Sequence, residues 1–225
     1  MANRAPFEYG EWYHCFNRGV EKRNVFENEY DAARFLLLLR LANGTDPVRL
    51  HALRRIDPSQ VIETQCGDRI VSVGAYCLMP NHFHILVKEV TEGGITTFMK
   101  KVSLAYTMYF NSKYERVGNL FLRPFRSRHV GTDRYFQKVL EYIHLNPAEL
   151  YERGWKAGKV GNIRALERRI SSYPYSSLKG YLAGHDADPI LSRDGFEIAA
   201  QRSLSQSLAA SREYLAEISE DGLER

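Results

Sequence analysis

Long hydrophobic runs are missing from this chain. A membrane-spanning helix needs about 18 or more consecutive apolar residues. The longest run here, Phe35-Leu36-Leu37-Leu38-Leu39, is closed on both sides by Arg34 and Arg40. The first residues, Met1-Ala2-Asn3-Arg4-Ala5-Pro6, hold no apolar stretch of the kind a secretory signal carries. Cysteine is scarce: Cys15, Cys66 and Cys77 are odd in number and show no C-x-x-C spacing, which argues against a disulfide framework and a structural zinc site. No segment repeats another. These absences predict a cytoplasmic chain with reduced thiols and no membrane contact. At 225 residues it suits one domain with an extension.

Acidic residues are nearly absent from one stretch. Lys100, Lys101, Lys113, Arg116, Arg123, Arg126, Arg128 and Arg134 are opposed there only by Glu115 and Asp133. From Asp186 onward the balance reverses, with nine Asp or Glu against four Arg. A net charge of +4 says little by itself. A basic middle segment is the footprint a phosphodiester partner wants, and equally that of a solvated charged face.

The pattern that is present alternates between strand and helix periods. Glu11 to Val20, with Trp12, Tyr13 and Phe16, reads as a first strand ending at Asn17-Arg18-Gly19. Asn28 or Glu29 opens a helix through Leu41, stopped by Asn43-Gly44. Residues 44 to 67 are polar, contain Pro47 and Pro58, and read as a surface excursion. Arg69 to Leu78 and Phe83 to Val90 form a hairpin around Met79-Pro80-Asn81-His82. Ile95 to Asn111 is a helix, and Leu120 to Val130 a short hairpin or strand with Pro124 marking an edge. Thr132 or Asp133 caps a helix to about Leu145, which Asn146-Pro147 ends or kinks. A polar helix from about Phe196 to Ile218 closes the chain. This order predicts an α+β fold: a ferredoxin-like antiparallel sheet with helices on one face, plus a helical C-terminal extension. The division is residues 1–150 and 151–225.

Two short segments carry chemistry. In Asn81-His82-Phe83-His84-Ile85-Leu86-Val87 the imidazoles stand at i and i+2. In a strand they share one face, and Phe83, Ile85 and Val87 share the other. Such a pair can chelate one ion, since neutral imidazole suits several divalent metals; it can also simply hydrogen-bond near a turn. The second segment is Glu141-Tyr142-Ile143-His144-Leu145-Asn146-Pro147. Phe136, Val139, Leu140 and Ile143 form a core stripe, with Tyr142 about 100° from its middle, a flank where a ring packs and its hydroxyl stays presented. Asn146 falls near Tyr142 if the turn persists, and its amide oxygen is a candidate third ligand. The competing readings are a boundary tyrosine and a helix-terminal asparagine. His144 points away from Tyr142 and stays outside the catalytic set.

The string Ala75-Tyr76-Cys77-Leu78-Met79-Pro80-Asn81-His82-Phe83-His84-Ile85-Leu86-Val87 resembles the His-hydrophobic-His core of the single-tyrosine HUH transposases, in particular the branch of REP-associated tyrosine transposases. Tyr142-Ile143-His144-Leu145-Asn146-Pro147 resembles that branch's tyrosine motif. Phe16-Asn17-Arg18-Gly19-Val20, Tyr106-Thr107-Met108-Tyr109-Phe110-Asn111 and Gly118-Asn119-Leu120-Phe121 fit in the same order. The resemblance implies an HUH endonuclease fold and Tyr142 as nucleophile. It implies a divalent metal, Mg or Mn, on His82, His84 and Asn146, where relatives often have glutamine in the third place. It implies single-stranded, hairpin-bearing DNA as partner, cleaved and rejoined through a 5′-phosphotyrosine, a nucleoid-associated location, and in some relatives a homodimer with exchanged helices. Where relatives often read Phe-Gln-Gly-Arg, this chain has Phe121-Leu122-Arg123-Pro124, so a DNA contact by glutamine is lost there. Candidate DNA contacts are Arg18, Lys100, Lys101, Arg123, Arg126 and Arg128, with Phe125 as a base-stacking ring or a core residue. The rival expectations are a hairpin-binding module without strand transfer, and a metal-dependent nuclease that uses water.

Overall fold

The computed structural model describes residues 6–47, 67–157, 159–184, 187–200, 206–211, 213 and 214. Most of the polar excursion and parts of the expected C-terminal helix lie outside the described residues. Four strands, β1 (Trp12–Arg18), β2 (Val71–Met79), β3 (His82–Glu89) and β4 (Arg126–Val130), form one sheet in the order β2-β3-β1-β4. Every pairing is antiparallel. With α1 (Glu29–Leu41) between β1 and β2, and α2 (Gly94–Lys113) between β3 and β4, this is the ferredoxin-like arrangement the sequence pattern predicts.

Local chemistry sets the element ends. The Asn28 side chain accepts hydrogen bonds from Tyr30 N and Asp31 N and opens α1. The buried Glu89 carboxylate accepts from Ile95 N at 2.7 Å, placing negative charge at the amino end of α2. Met79 pairs with His82, so Pro80 and Asn81 alone make the turn, and His82 is the first residue of β3. Its carbonyl neighbours are held: Pro80 O accepts from Val25 N at 2.8 Å, and Asn81 O from Gly19 N at 2.9 Å.

Two apolar layers cover the sheet. Phe83, Ile85 and Val87 join Phe35, Leu38, Phe98, Val102 and Tyr106 of α1 and α2 on one face. Leu86, Trp12 and Ala75 join Phe136, Val139 and Ile143 of α3 (Asp133–Leu145) on the other. The β2 strand changes its alternation between Val73 and Ala75, a bulge at Gly74. A Cβ there would lie 2.8 Å from the Trp12 ring, so glycine lets β2 and the indole approach.

Helices thus occupy both faces. α1 and α2 share one, as the sequence pattern predicts for the helices, and α3 lies on the other with the extension around it. Trp155, Leu166 and Ile170 of α4 (Ile163–Ser171), Tyr173 and Tyr214 all belong to the α3 layer. The extension also covers the outer edge of β2: Leu78 N donates to Tyr175 O, Ser177 N to Tyr76 O, and Ser192 N to Val73 O. An uncovered edge strand would template association with another chain. The expected single helix from Phe196 to Ile218 is not what forms. α5 (Arg193–Ile198) starts earlier and stops at Ala199, whose backbone is extended, and residues 206–211 are helical again. Among the described residues no helix is long and apolar enough to cross a membrane, and Cys15 and Cys77 are both buried.

Candidate active site

Strand register assembles the site. Arg18 pairs with His82, and Phe16 with His84, across β1 and β3. Phe16 also pairs with Arg126, and His14 with Arg128, across β1 and β4. Residues directly opposite in an antiparallel pair project to the same face. Imidazole, guanidinium and aromatic side chains from three strands therefore meet on the α3 side of the sheet. Of these, Phe16, Arg18, His82, His84 and Arg126 line a pocket together with Tyr142, with the more exposed Glu149 and Lys156 at its rim.

The imidazoles are held by specific partners. His82 Nδ1 lies 2.6 Å from Asn81 Oδ1; the amide oxygen accepts, so Nδ1 carries the proton and Nε2 keeps a lone pair. His84 Nδ1 lies 2.9 Å from His14 Nε2, and His14 Nδ1 lies 2.5 Å from the Tyr214 hydroxyl. Burial pushes the pKa of His82 down to about 4, with Arg18 acting in the same direction and Asn146 and Glu149 opposing. Burial, then His14 and His82, hold His84 well below the ordinary histidine range. Burial and then Arg128 lower His14 to about 3. All three rings are neutral at pH 7, the form that can ligate a cation.

Tyr142 is only 1% exposed, deeper than the flank position its helical angle predicts. Its ring centre lies 5.3 Å from that of His84, edge to face, and 5.1 Å from that of Tyr214. Periodicity within α3 identifies one buried stripe; the burial extends beyond it to Gln137, Glu141 and His144, where the extension bonds Gln137 through Ala200 O and His144 through Ser177 Oγ. The helical turn persists through Asn146, which has φ −50° and ψ −41° before Pro147. Asn146 Nδ2 donates to Tyr142 O at 3.0 Å. Its Oδ1 is buried and satisfied by no hydrogen bond of good geometry among the described residues, while the Asn146 side chain approaches the His82 ring closely enough to raise its pKa as a weak hydrogen-bond partner.

This donor set fits a divalent cation. Among the described residues no group of three or more His, Cys, Asp or Glu is arranged to hold a metal. A cation site here would have to draw on the two imidazoles and an amide oxygen, and the buried Oδ1 of Asn146 is the kind of acceptor a cation would satisfy.

The basic candidates separate by face. Arg18 and Arg126 line the pocket. Arg128 lies alongside, its guanidinium 5.6 Å from the Tyr135 ring centre and 6.0 Å from that of Tyr214. Arg123 is exposed in the loop before β4. Lys100 and Lys101 are on α2, which packs against the opposite face. Lys100 is exposed there, and Lys101 Nζ donates to Gly44 O at 2.5 Å and Asp46 O at 2.8 Å. Phe125 packs against the α1–α2 core and stacks on Phe7 at 6.3 Å. The pocket thus gathers His82, His84, Tyr142, Arg18 and Arg126, with Asn146 against His82. It leaves Lys100, Lys101 and Phe125 elsewhere.

Sequence reasoning missed four neighbours: His14, Tyr214, and the rim pair Glu149 and Lys156, whose charged groups lie 3.2 Å apart. The signal for His14 was available in principle, because His14, Phe16 and Arg18 alternate on one face of β1. Nothing local marked Tyr214. His144, set aside at the sequence level, is buried and bonds Ser177 Oγ at 2.9 Å, tying α3 to the strip along β2. Burial lowers its pKa to about 3. A histidine with a depressed folded-state pKa contributes full stability above the unfolded value of about 6.5 and loses it as pH falls below. This group should therefore cost about 2 kcal/mol between pH 7 and pH 5. Urea unfolding at the two pH values should show that much less pH sensitivity in His144→Gln than in the parent protein. Equal sensitivity would mean that His144 is not buried as a neutral ring.

Residues 9–146 match the transposase IS200-like family. A solved structure of a REP-associated tyrosine transposase bound to a REP hairpin has the same fold, with a TM-score of 0.52 and 14% sequence identity over 91% of this chain and 92% of that one. No curated protein matches the chain significantly.

Proposed function

Because the chain belongs to the IS200-like transposase family, we propose that it cleaves and rejoins single-stranded, hairpin-bearing DNA through a phosphotyrosine at Tyr142. The observation that carries this reading is the approach of Tyr142 to His84 within one chain, with ring centres 5.3 Å apart, although 58 residues of sequence separate them. His82, His84 and Asn146 would hold a divalent cation, Mg or Mn. When bound, such an ion supplies Lewis-acid polarisation of a non-bridging phosphate oxygen.

The chain's own groups account for the remaining steps. Tyr142 Oη attacks phosphorus and gives up its proton to water as the new bond forms. The bond from phosphorus to the 3′ oxygen breaks, and that oxygen leaves as a free 3′-hydroxyl. One phosphodiester has replaced another, so a 3′-hydroxyl from a second strand can reverse the step and no nucleotide cofactor is consumed. Arg18 and Arg126 face the same pocket and suit phosphate oxygens as bidentate donors. Tyr142 lines that pocket as well but is only 1% exposed.

That deep burial also favours a second reading, a hairpin-binding protein without strand transfer. One incubation separates the two. Labelled hairpin DNA with a single-stranded flank is mixed with the protein and Mn²⁺, then denatured and resolved. A resistant adduct whose label maps to the Tyr142 peptide supports transfer. Cleavage without adduct supports attack by water. Tight binding with neither supports the binding module, and both of these last outcomes reject the proposal.

A further inference from the structure

Resting on the metal site proposed above, we infer that His14 is a positioning residue that fixes the ring tautomer of His84, with the Tyr214 hydroxyl as its anchor. His14 is fully buried on β1. Its ring lies 5.0 Å from that of His84, nearly parallel, and 4.8 Å from that of Phe16. It is outside the ligand set, because its Nε2 is engaged with His84 Nδ1 and its Nδ1 with Tyr214 Oη.

The three groups form a chain with two possible polarities. In the first, Tyr214 donates to His14 Nδ1, and His14 Nε2–H donates to His84 Nδ1. The proton of His84 then sits on Nε2, and that ring has no lone pair left for a cation. In the second, His84 Nδ1–H donates to His14 Nε2, and His14 Nδ1–H donates to the Tyr214 oxygen. His84 Nε2 is then a free lone pair, the state His82 already has through Asn81. Only the second polarity makes the two imidazoles equivalent ligands. The Tyr214 hydroxyl can serve either polarity; it permits the second by accepting from His14 Nδ1–H, which without that oxygen would be a buried unpaired N–H, a costlier defect than an unpaired lone pair. A residue near the carboxyl end of the chain thereby bears on a ligand in the second hairpin strand, through one intervening ring.

The test reads metal affinity and tautomer rather than DNA cleavage. Mn²⁺ binding is measured by calorimetry on the full-length wild type, His14→Phe, His14→Gln and Tyr214→Phe, with thermal melts as a folding check. Outer-shell partners of ligating histidines typically account for about 10–100-fold in affinity; a loss of that size is expected in His14→Phe, which keeps the ring's volume. His14→Gln retains an amide oxygen for His84 Nδ1–H and should stay within about threefold of wild type. Tyr214→Phe, which removes one oxygen, should weaken binding by about threefold or more and decides the matter if His14→Phe does not fold. Without metal, nitrogen NMR of the imidazoles should find His84 protonated at Nδ1 in the wild type. Measurable Mn²⁺ affinity in the wild type, unchanged in His14→Phe and Tyr214→Phe, overturns this inference and leaves the metal site standing. Absence of Mn²⁺ binding in the wild type overturns both.

Discussion

Replacing Tyr142 by phenylalanine is expected to abolish the covalent protein–DNA adduct and to lower strand cleavage by about 10⁴-fold or more, the scale seen when a catalytic nucleophile is removed. The substitution deletes one oxygen and keeps the ring that packs against His84 and Tyr214. Fold and hairpin affinity should therefore survive, and the loss should fall on the chemical step alone. Gel analysis of labelled hairpin DNA under denaturing conditions gives the adduct, and binding under native conditions gives the control. Retention of metal-dependent cleavage in Tyr142→Phe would assign the attack to water and remove the phenol from the reaction.

The second large effect is expected from His82→Ala. This ring is half-buried at the pocket and hydrogen-bonds the adjacent Asn81, so its removal disturbs packing less than loss of the buried His84 would. Loss of an imidazole ligand withdraws charge stabilisation of several kcal/mol from the transition state, about 10²–10⁴-fold in rate. Binding of the hairpin, which under the proposed function falls to Arg18, Arg126 and other basic groups, should change by less than about threefold at fixed salt. The measurement is a cleavage rate at saturating Mn²⁺ beside a binding isotherm. If rate and binding fall together, His82 serves DNA affinity rather than the reaction. If neither falls, the histidine pair has no part in it.

Local signals made the frame of this site legible in the sequence. Asn28 and Thr132 cap α1 and α3 where their side chains predict. The His82-Phe83-His84 alternation splits between the two faces of β3 as a strand requires, with Phe83 in the α1–α2 core and both imidazoles in the pocket. What could not be read is set by long-range packing. Tyr142 has a flank angle on α3, yet its surroundings come from Tyr214, 72 residues further on. The function of His14 depends on which residue of β3 lies opposite its neighbour Phe16, a register that hydrophobic patterning constrains only to odd or even. The basic run misled for a related reason. Neighbours along the chain are not neighbours in space: Lys100 and Lys101 ride on α2 and Arg126 and Arg128 on β4, which present to opposite faces of one sheet.

That a single copy places its own phenol against its own imidazoles has a consequence for stoichiometry. Under the proposed chemistry, specific activity should not fall on dilution, because no second subunit has to lend a helix before the first cut. Two such centres would be needed only when two broken ends must be exchanged, so the demand for pairing would come from the DNA ends and not from the enzyme.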